Sequence, residues 1–347
     1  MKFIHAADIH LGMEPEKGKP WSKLRKKEIE DTFQRLIEEA NRKEVDFLFL
    51  SGDIFHRPPS IQDLRQLDYM LGKLNTAKTV MIAGNHDYIG EDSPYHSYEF
   101  QSPVFVLANR QIEHIWFEEE KTCVSGFSYW CQEIKTPCLQ SVKPDGQEGI
   151  YILLAHGGDK NHVPMDFEEL KWSGFDYIAL GHIHKPQVIS EDLMAYSGSL
   201  EPLDATEIGS HGYMFGEINE EKQIVLFVPF SKRSYLEAEV VLYDTMSPQE
   251  IYDKIAQQLE HMGSENLFHV RLIGSIDPKL TLDFEMLQEQ FMIVSITQEA
   301  LAYGDYEEML LANQGNLIGT VMEKLRDRPD ALSYAMKALL STADEKA

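Results

Sequence analysis

Five short apolar runs, each followed by a polar or glycine-rich turn, constrain the fold of this chain more than any other feature of its sequence. The runs lie at residues 3–7, 47–51, 80–83, 150–155 and 177–180. Apolar runs of this length between turns are typical of buried strands. Residues with helical apolar spacing, at 23–42 and 61–74, separate the first three runs. This alternation predicts βαβ units with parallel strands, and therefore an α/β domain.

The rest of the chain predicts a second sheet and a smaller second domain. Residues 187–230 contain short β-like runs and are expected to form a sheet that packs on the first one. Residues 235–297 follow a β-α-β-α-β pattern. Helical spacings at 305–325 and 329–341 then predict two terminal helices, because Pro329 interrupts the pattern between them.

Length and charge limit the possible partners. With 347 residues, the chain is long enough for one large α/β domain and a smaller one. Its 57 acidic and 32 basic side chains give a formal net charge of -25. Such a charge repels a polyanion at long range. Binding to nucleic acid would therefore require local basic patches, the charge of bound metal ions or a basic partner subunit.

The cysteines and the apolar runs predict a cytoplasmic protein with no membrane association. Cys123, Cys131 and Cys138 are odd in number and show no C-x-x-C spacing, so we expect free thiols in a reducing compartment. The chain opens on a strand-like run that is too short and interrupted for a signal peptide. No apolar run approaches the roughly 18 residues of a membrane span.

Potential metal ligands follow all five apolar runs. Asp8-Ile9-His10, Gly52-Asp53, Gly84-Asn85-His86-Asp87, His156-Gly157 and Gly181-His182-Ile183-His184 are the segments concerned. A single aspartate or asparagine after a strand is usually a turn former or a helix cap. Five such segments in one chain instead predict a metal site. Nitrogen and oxygen ligands without thiolates suit Mn²⁺, Fe²⁺ or Zn²⁺ in a catalytic centre rather than a structural zinc site.

These segments, in this order over residues 8–184, resemble the motifs of the calcineurin-like metallophosphoesterase superfamily. The resemblance implies a four-layer α/β/β/α sandwich that holds two divalent ions. It implies a first metal site formed by Asp8, His10, Asp53 and His184. It implies a second site formed by Asp53, Asn85, His156 and His182. Asp53 would bridge the two ions, since a shared carboxylate can hold two cations close together.

The same resemblance implies how such a centre works. Two bound cations activate a water molecule for in-line attack on phosphorus and polarise the phosphate. His86 resembles a histidine that binds no metal and that stabilises the transition state or protonates the leaving oxygen. Asp87 is expected to orient the ring of His86, as outer carboxylates do for histidines. A role confined to the turn is the alternative for Asp87.

Residues 52–60, with the sequence GDIFHRPPS, resemble a segment of SbcD-type DNA double-strand break repair nucleases, as does the run at 196–201. His56 matches a position near the exonuclease path of those enzymes, or else caps the helix that begins near Ser60. Arg57 could contact a phosphate or be a solvated turn residue. The resemblance implies a nuclease domain at 1–231, an α+β capping domain at 232–300 and a helical ATPase-docking segment at 301–347.

The function implied by this resemblance is that of a Mn²⁺-dependent DNA nuclease, with 3′ to 5′ exonuclease and endonuclease activity. Fe²⁺ and Zn²⁺ are alternative metals. The expected partners are DNA, a coiled-coil SbcC-like ATPase and a second copy of the chain. A small-substrate phosphodiesterase or phosphatase, acting on cyclic nucleotides or nucleotide pyrophosphates, is the alternative that the acidic composition favours. A non-enzymatic scaffold is the third possibility, and the intact ligand set opposes it.

Overall fold

The computed structural model describes residues 1–144, 146, 148–277, 279–302, 309–328, 331, 332 and 335. The chain forms two compact units, Met1–Ser234 and Tyr235–Ala347. Among the described residues, no helix is both long enough and apolar enough to cross a membrane.

The described residues of the first unit form twelve strands. In chain order they are β1 (Lys2–Ala6), β2 (Phe47–Ser51), β3 (Lys78–Ile82), β4 (Val104–Val106), β5 (Glu113–Phe117), β6 (Thr122–Gly126), β7 (Ile150–His156), β8 (Tyr177–Gly181), β9 (Gln187–Ser190), β10 (Met194–Tyr196), β11 (Gly212–Ile218) and β12 (Gln223–Pro229). All five apolar runs of the sequence are strands, as predicted. The sequence did not predict β4, β5 and β6, which are short or lack a continuous apolar run.

The strands form two six-stranded sheets, in the orders β12-β11-β1-β2-β3-β4 and β5-β6-β7-β8-β10-β9. Strands β1 to β4 are parallel, and β11 pairs antiparallel with β1. The prediction that residues 187–230 form a sheet of their own was therefore wrong. Strands β9 and β10 extend the sheet that contains β7 and β8, whereas β11 and β12 return to the first sheet. Local apolar patterns do not determine which neighbour a strand finds across the fold.

Helices α1 (Ser22–Lys43), α2 (Ile61–Leu71) and α3 (Phe167–Lys171) belong to the first unit. The first two confirm the predicted helices. Ser60 caps α2: its hydroxyl accepts a hydrogen bond from the backbone N–H of Asp63, and the Asp63 carboxylate accepts one from the N–H of Ser60. This capping box satisfies free N–H groups at the start of α2, so the capping alternative given for His56 is wrong.

Three apolar layers hold the two sheets and their helices together. Phe3, Phe49, Ile152 and Leu154 belong to the cluster between the sheets, and all four are fully buried. A second cluster joins the outer face of the first sheet to α1 and α2. A third cluster covers the outer face of the second sheet and includes Leu170 of α3. The predicted four-layer α/β/β/α sandwich is therefore present.

The second unit is a small α/β structure around a parallel sheet. Its elements are β13 (Tyr235–Leu242), α4 (Pro248–His261), β14 (Leu267–Ile276), α5 (Glu285–Gln290), β15 (Met292–Gln298), β16 (Leu301–Ala302) and α6 (Leu317–Lys324). The predicted β-α-β-α-β order is confirmed. Asn316 caps α6 and interrupts the helix predicted at 305–325. The helix predicted at 329–341 falls almost entirely outside the described residues.

Candidate metal centre

The five predicted segments meet where the carboxyl ends of the strands of both sheets come together. Asp8 and His10 follow β1, Asp53 follows β2, Asn85 follows β3, His156 ends β7, and His182 and His184 follow β8. The structure places them at the junction of two sheets, so both layers contribute side chains to one cluster.

The first group of potential ligands consists of Asp8, His10 and His184, whose ligand atoms lie within 4.8 Å of one another. Oδ2 of Asp53 lies 3.6 Å from Nε2 of His10. The structure therefore brings together all four residues expected to form the first metal site.

The second group lies on the other side of Asp53. Oδ2 of Asp53 is 3.4 Å from Nε2 of His156. Oδ1 of Asn85 is 3.0 Å from that same nitrogen and 3.0 Å from Nδ1 of His182. Oδ2 of Asp53 thus lies between the two groups, as a bridging carboxylate oxygen must.

The donor atoms of this cluster fit a pair of divalent cations. Nε2 of His10 is buried and has no hydrogen-bond partner among the described residues. A buried polar atom without a partner is costly unless another group satisfies it. Carboxylate, amide and imidazole donors without thiolates suit Mn²⁺, Fe²⁺ or Zn²⁺.

Hydrogen bonds on the outer side fix the orientation of three of the histidines. Nδ1 of His156 lies 2.8 Å from the carbonyl oxygen of Ser51. Nε2 of His182 lies 2.7 Å from Oδ2 of Asp159, and Nδ1 of His184 lies 2.6 Å from Oε1 of Glu207. Each outer nitrogen therefore carries the proton, which leaves the inner nitrogen free as a ligand.

Asp159 and Glu207 hydrogen-bond to candidate ligands, and the sequence analysis missed both. Asp159 lies three residues after His156, so its proximity to a candidate ligand was a signal that could have been used. Glu207 is 23 residues from its partner His184, and no local motif marks it. Both carboxylates are held in place, because Asp159 accepts a bond from the backbone N–H of Asn161 and Glu207 accepts one from that of Leu203.

The electrostatic environment of the cluster raises the pKa of three of its side chains, so these groups bind protons more strongly than usual. Burial opposes protonation of His156, but the attraction of Asp53 outweighs it and raises the pKa of His156 to about 9. Burial is likewise outweighed at His184, where the hydrogen bond to Glu207 raises the pKa to about 9. Burial raises the pKa of Asp8 to about 6. Cations and protons therefore compete for the same ligand atoms.

The backbone of the centre adopts conformations that the sequence pattern did not reveal. Asp8, His10 and Asp53 have φ angles of 51°, 51° and 52°, and His182 has a φ of 99°. Non-glycine residues rarely adopt positive φ, and such strain is concentrated at functional sites. The N–H groups of Asp8 and His10 donate to the carbonyls of Gly52 and Asp53, which ties the turn after β1 to the turn after β2.

Close packing explains why glycine precedes Asn85. A Cβ atom at Gly84 would overlap Oδ1 of Asp53 and Cε1 of His156. Only glycine allows the backbone to approach these two side chains so closely. The Gly-Asn pair is thus a packing requirement of the centre as well as a turn signal.

His86 lies at the centre through its backbone and its ring. Its N–H donates to Oδ1 of Asp53 at 2.8 Å, and its ring centroid is 4.8 Å from that of His10. Its Nδ1 lies 3.3 Å from the carbonyl oxygen of His56. That contact requires a proton on Nδ1, which leaves Nε2 as the nitrogen available to a substrate.

Asp87 does not orient His86 in the way the sequence analysis expected. Its Oδ1 accepts from the N–H of Gly84 at 2.6 Å. Its Oδ2 accepts from the N–H groups of Ile54 and Phe55, at 2.9 and 3.2 Å. Burial raises the pKa of Asp87 to about 7. Asp87 thus joins the turn after β3 to the turn after β2, which agrees with the turn role given as its alternative.

His56 and Arg57 lie beside the first group of ligands. Nδ1 of His56 is 3.3 Å from Nδ1 of His10, and its ring stacks on that of His86 with centroids 5.4 Å apart. Arg57 is largely exposed and forms a salt bridge of 3.3 Å with Asp63. His56 is therefore part of the centre, whereas Arg57 lies at its rim.

The chain has clear relatives among known proteins. The profile of the family described as Calcineurin-like phosphoesterase matches residues 1–186, more than half of the chain. Over 328 residues the chain is 28% identical to the uncharacterized metallophosphoesterase YhaO of Bacillus subtilis, covering 84% of this chain and 78% of that protein.

Two archaeal proteins named DNA double-strand break repair protein Mre11 are also similar. The one from Archaeoglobus fulgidus is 27% identical over 365 residues, covering 90% of this chain and 80% of that protein. The one from Methanocaldococcus jannaschii is 32% identical over 216 residues, covering 58% and 57%. The chain therefore belongs to the calcineurin-like phosphoesterase family, whose members use a binuclear metal centre, and is a metal-dependent phosphodiesterase.

Proposed function

We propose that this protein is a Mn²⁺-dependent DNA nuclease, with 3′ to 5′ exonuclease and endonuclease activity. The observation that carries the proposal is the position of Asp53, whose Oδ2 lies 3.6 Å from Nε2 of His10 and 3.4 Å from Nε2 of His156. A shared carboxylate between two donor groups is the arrangement of two-metal phosphodiester hydrolysis. The similarity to proteins named for DNA double-strand break repair supports DNA as the substrate.

In the proposed mechanism, the protein positions its ligands and moves a proton. Asp8, His10, Asp53 and His184 would hold one cation, and Asp53, Asn85, His156 and His182 the other. The two cations, when bound, supply Lewis-acid activation of the phosphate and of a water molecule. Protonated His86 would donate from Nε2 to the leaving 3′-oxygen, a general-acid contribution of about 10²- to 10⁴-fold. His56, in contact with His10 and His86, would border the path of the substrate strand.

We further propose that the protein works with partners in the cytoplasm. These are a coiled-coil SbcC-like ATPase, docked on the segment at 301–347, and a second copy of the chain. Much of that segment lies outside the described residues. The second unit would act as the capping domain over the DNA.

A small-substrate phosphodiesterase or phosphatase is the second candidate. The observation that favours it is the net charge of -25, which disfavours a long polyanion more than a cyclic nucleotide. Both candidate functions would use the same metal centre. They differ in whether the rest of the protein surface binds a long polyanion.

An assay of which substrates the purified protein hydrolyses distinguishes the nuclease from the small-substrate enzyme. The purified protein is incubated with Mn²⁺ and end-labelled duplex DNA, with and without the ATPase, alongside bis-p-nitrophenyl phosphate and cyclic nucleotides. The nuclease proposal predicts degradation of the labelled DNA. Hydrolysis of the small esters with intact DNA, even in the presence of the ATPase, would overturn it.

The role of His86 can be tested separately. His86→Ala should lower kcat by about 10²- to 10⁴-fold, because it removes the proton donor. Metal content should stay at the wild-type value, because the hydrogen bond from His86 to Asp53 is donated by the backbone N–H, which alanine keeps. A His86→Ala protein that lost its metal ions would show that the ring is itself a ligand.

A further inference from the structure

An unusually basic segment lies beside the candidate metal centre of this acidic protein. Residues 17–27 contain five lysines, one arginine and no acidic residue. Lys17, Lys19, Lys23, Lys26 and Lys27 are all exposed. The chain as a whole has a net charge of -25, so this segment is a positively charged region of an acidic protein.

Three of these lysines share one face of α1. Lys23, Lys26 and Lys27 are related by spacings of three and four residues, so their side chains are neighbours on the helix surface. We call them the lysine face. None of the three forms a salt bridge with a residue that the structure describes. Arg25, in contrast, turns inward and pairs with Glu28 and Glu201.

The position of the lysine face lowers the stability of α1. It begins in the first turn of α1, where the helix has no acidic residue. The amino end of a helix carries partial positive charge, so lysines there are unfavourable. Mutual repulsion between neighbouring lysines adds to that cost. A role in stabilising the helix therefore does not account for them, whereas an anionic ligand does.

A cleft connects the lysine face to the metal centre. It has a volume of about 300 Å³, and the charged and titratable residues of its lining are Lys26, Arg57, His56, Glu30 and Asp63. At its inner end, His56 lies with Nδ1 3.3 Å from Nδ1 of His10, one of the candidate ligands. The cleft thus leads from Lys26 to His56, and His56 contacts the candidate ligand His10.

We propose that the lysine face and this cleft bind the sugar–phosphate backbone of the DNA strand whose scissile phosphate lies at the metal centre. This inference rests on the proposed nuclease function and identifies where an acidic protein obtains its affinity for DNA. Arg57 contributes a second cation at the cleft, shared with Asp63. The contacts are to phosphate, so binding is independent of base sequence and sensitive to salt.

The test compares two triple variants that remove the same charge. One carries Lys23→Gln, Lys26→Gln and Lys27→Gln. The control carries Lys2→Gln, Lys121→Gln and Lys222→Gln, at the amino ends of β1 and β6 and in the turn between β11 and β12. The strand pairings place these control lysines at the edges opposite the metal centre. Thermal unfolding and metal content establish that both variants are folded and loaded.

Affinity is measured by fluorescence anisotropy with a labelled, cleavage-resistant phosphorothioate duplex over a range of KCl concentrations. The lysine-face variant should bind at least about tenfold more weakly, and its log Kd should depend on log salt with a slope shallower by about 2 to 3, since each lost phosphate contact removes about 0.9. KM for DNA cleavage should rise in parallel. The control variant should match the wild-type slope.

The outcomes separate this inference from the proposed function. Wild-type protein that neither binds nor cleaves DNA refutes the nuclease function itself. Wild-type protein that cleaves DNA, together with a lysine-face variant that keeps the wild-type affinity and salt slope, overturns the inference alone. Equal weakening in both variants would also overturn it, because a general charge effect would then explain the result.

Discussion

The first unit buries charged side chains beneath α1 and at the candidate metal centre, and it pairs their charges differently in these two regions. Beneath α1, Arg25 and Arg233 contact Glu28, and Arg25 also contacts Glu201. We call these four residues the charged cluster. Two guanidinium groups face two carboxylates there, and Thr32 donates a further bond to Glu201 at 2.7 Å. Only Nε of Arg25 lacks a partner among the described residues.

The candidate metal centre is built the opposite way. Asp8 and Asp53 are fully buried, but the groups around them are histidines, not permanently charged cations. Nε2 of His10 has no partner among the described residues. Burying carboxylates without permanent counter-charge is costly in the folded protein. The comparison indicates that the charged cluster serves folding, whereas the metal centre is completed only by divalent cations.

The largest expected effect on stability comes from breaking the charged cluster. Arg25→Met should lower the free energy of unfolding of the first unit by about 3–5 kcal/mol, because it leaves Glu28 and Glu201 less well paired in the interior. The folded fraction should still bind its metal ions. Urea unfolding and metal analysis of the same samples measure the two properties.

Arg42→Met is the matched control for Arg25→Met. Arg42 pairs with Glu39 on the exposed surface of the same helix, so its loss should change stability little. An Arg25→Met protein of wild-type stability that had lost metal would contradict the division of roles between the two regions.

The second-largest expected effect is on metal affinity, and it comes from the carboxylates that hydrogen-bond to candidate ligand histidines. Glu207→Gln and Asp159→Asn should each weaken binding of one metal ion by about 10- to 100-fold, since outer partners of ligand histidines typically contribute this much. Glu207→Gln should act on the first site through His184, and Asp159→Asn on the second through His182. Calorimetric titration of the metal-free protein with Mn²⁺ resolves the two sites.

The Glu207 effect should be the larger one, because its side chain is 14% exposed against 42% for that of Asp159. A change in stability comparable with that of Arg25→Met, without a change in metal affinity, would assign these carboxylates to folding instead.

The smallest effect is the pH dependence of the metal-free protein. The pKa values of His156 and His184 are raised to about 9, against about 6.5 for a histidine in the unfolded chain. Above pH 6.5 the folded state therefore binds more protons than the unfolded state. The stability that these protons provide is lost as the pH rises towards 9, so the free energy of unfolding should fall between pH 7 and pH 9.

Urea unfolding at pH 7 and 9, without metal, measures this effect. The Arg25→Met variant should show the same loss, because the arginines and glutamates of the charged cluster stay ionised over this range. Stability that rose with pH in the metal-free protein would contradict the assignment of these two histidines as proton-binding groups.

The sequence predicted the ligands because each belongs to a local pattern. Asp53 and Asn85 each follow an apolar run and a glycine, and strands of one parallel sheet bring such residues to one edge. The orienting role expected for Asp87 and the capping alternative for His56 were not found, since both depended on where a side chain points. Asp87 turned towards backbone N–H groups, and Ser60 took the capping role.

The charged cluster could not be predicted from the sequence. Arg25 and Glu201 are 176 residues apart, and nothing near either residue marks the other as its partner. The return of β11 to pair with β1 is of the same kind, since an antiparallel neighbour is selected by the whole fold. Glu207 likewise reaches His184 only because the loop after β10 folds back over the centre. Long-range contacts therefore account for most of what the sequence did not reveal.

The number of Mn²⁺ ions bound per chain, and the coupling between them, tests the central claim most directly. Metal analysis and electron paramagnetic resonance of the wild-type protein should show two ions with a spin-coupled signal, because Oδ2 of Asp53 lies between both ligand groups. Asp53→Asn should abolish the coupled signal and reduce the content below two. Saturation of the wild-type protein at a single ion, or a coupled pair that survives Asp53→Asn, would contradict the bridged two-metal centre.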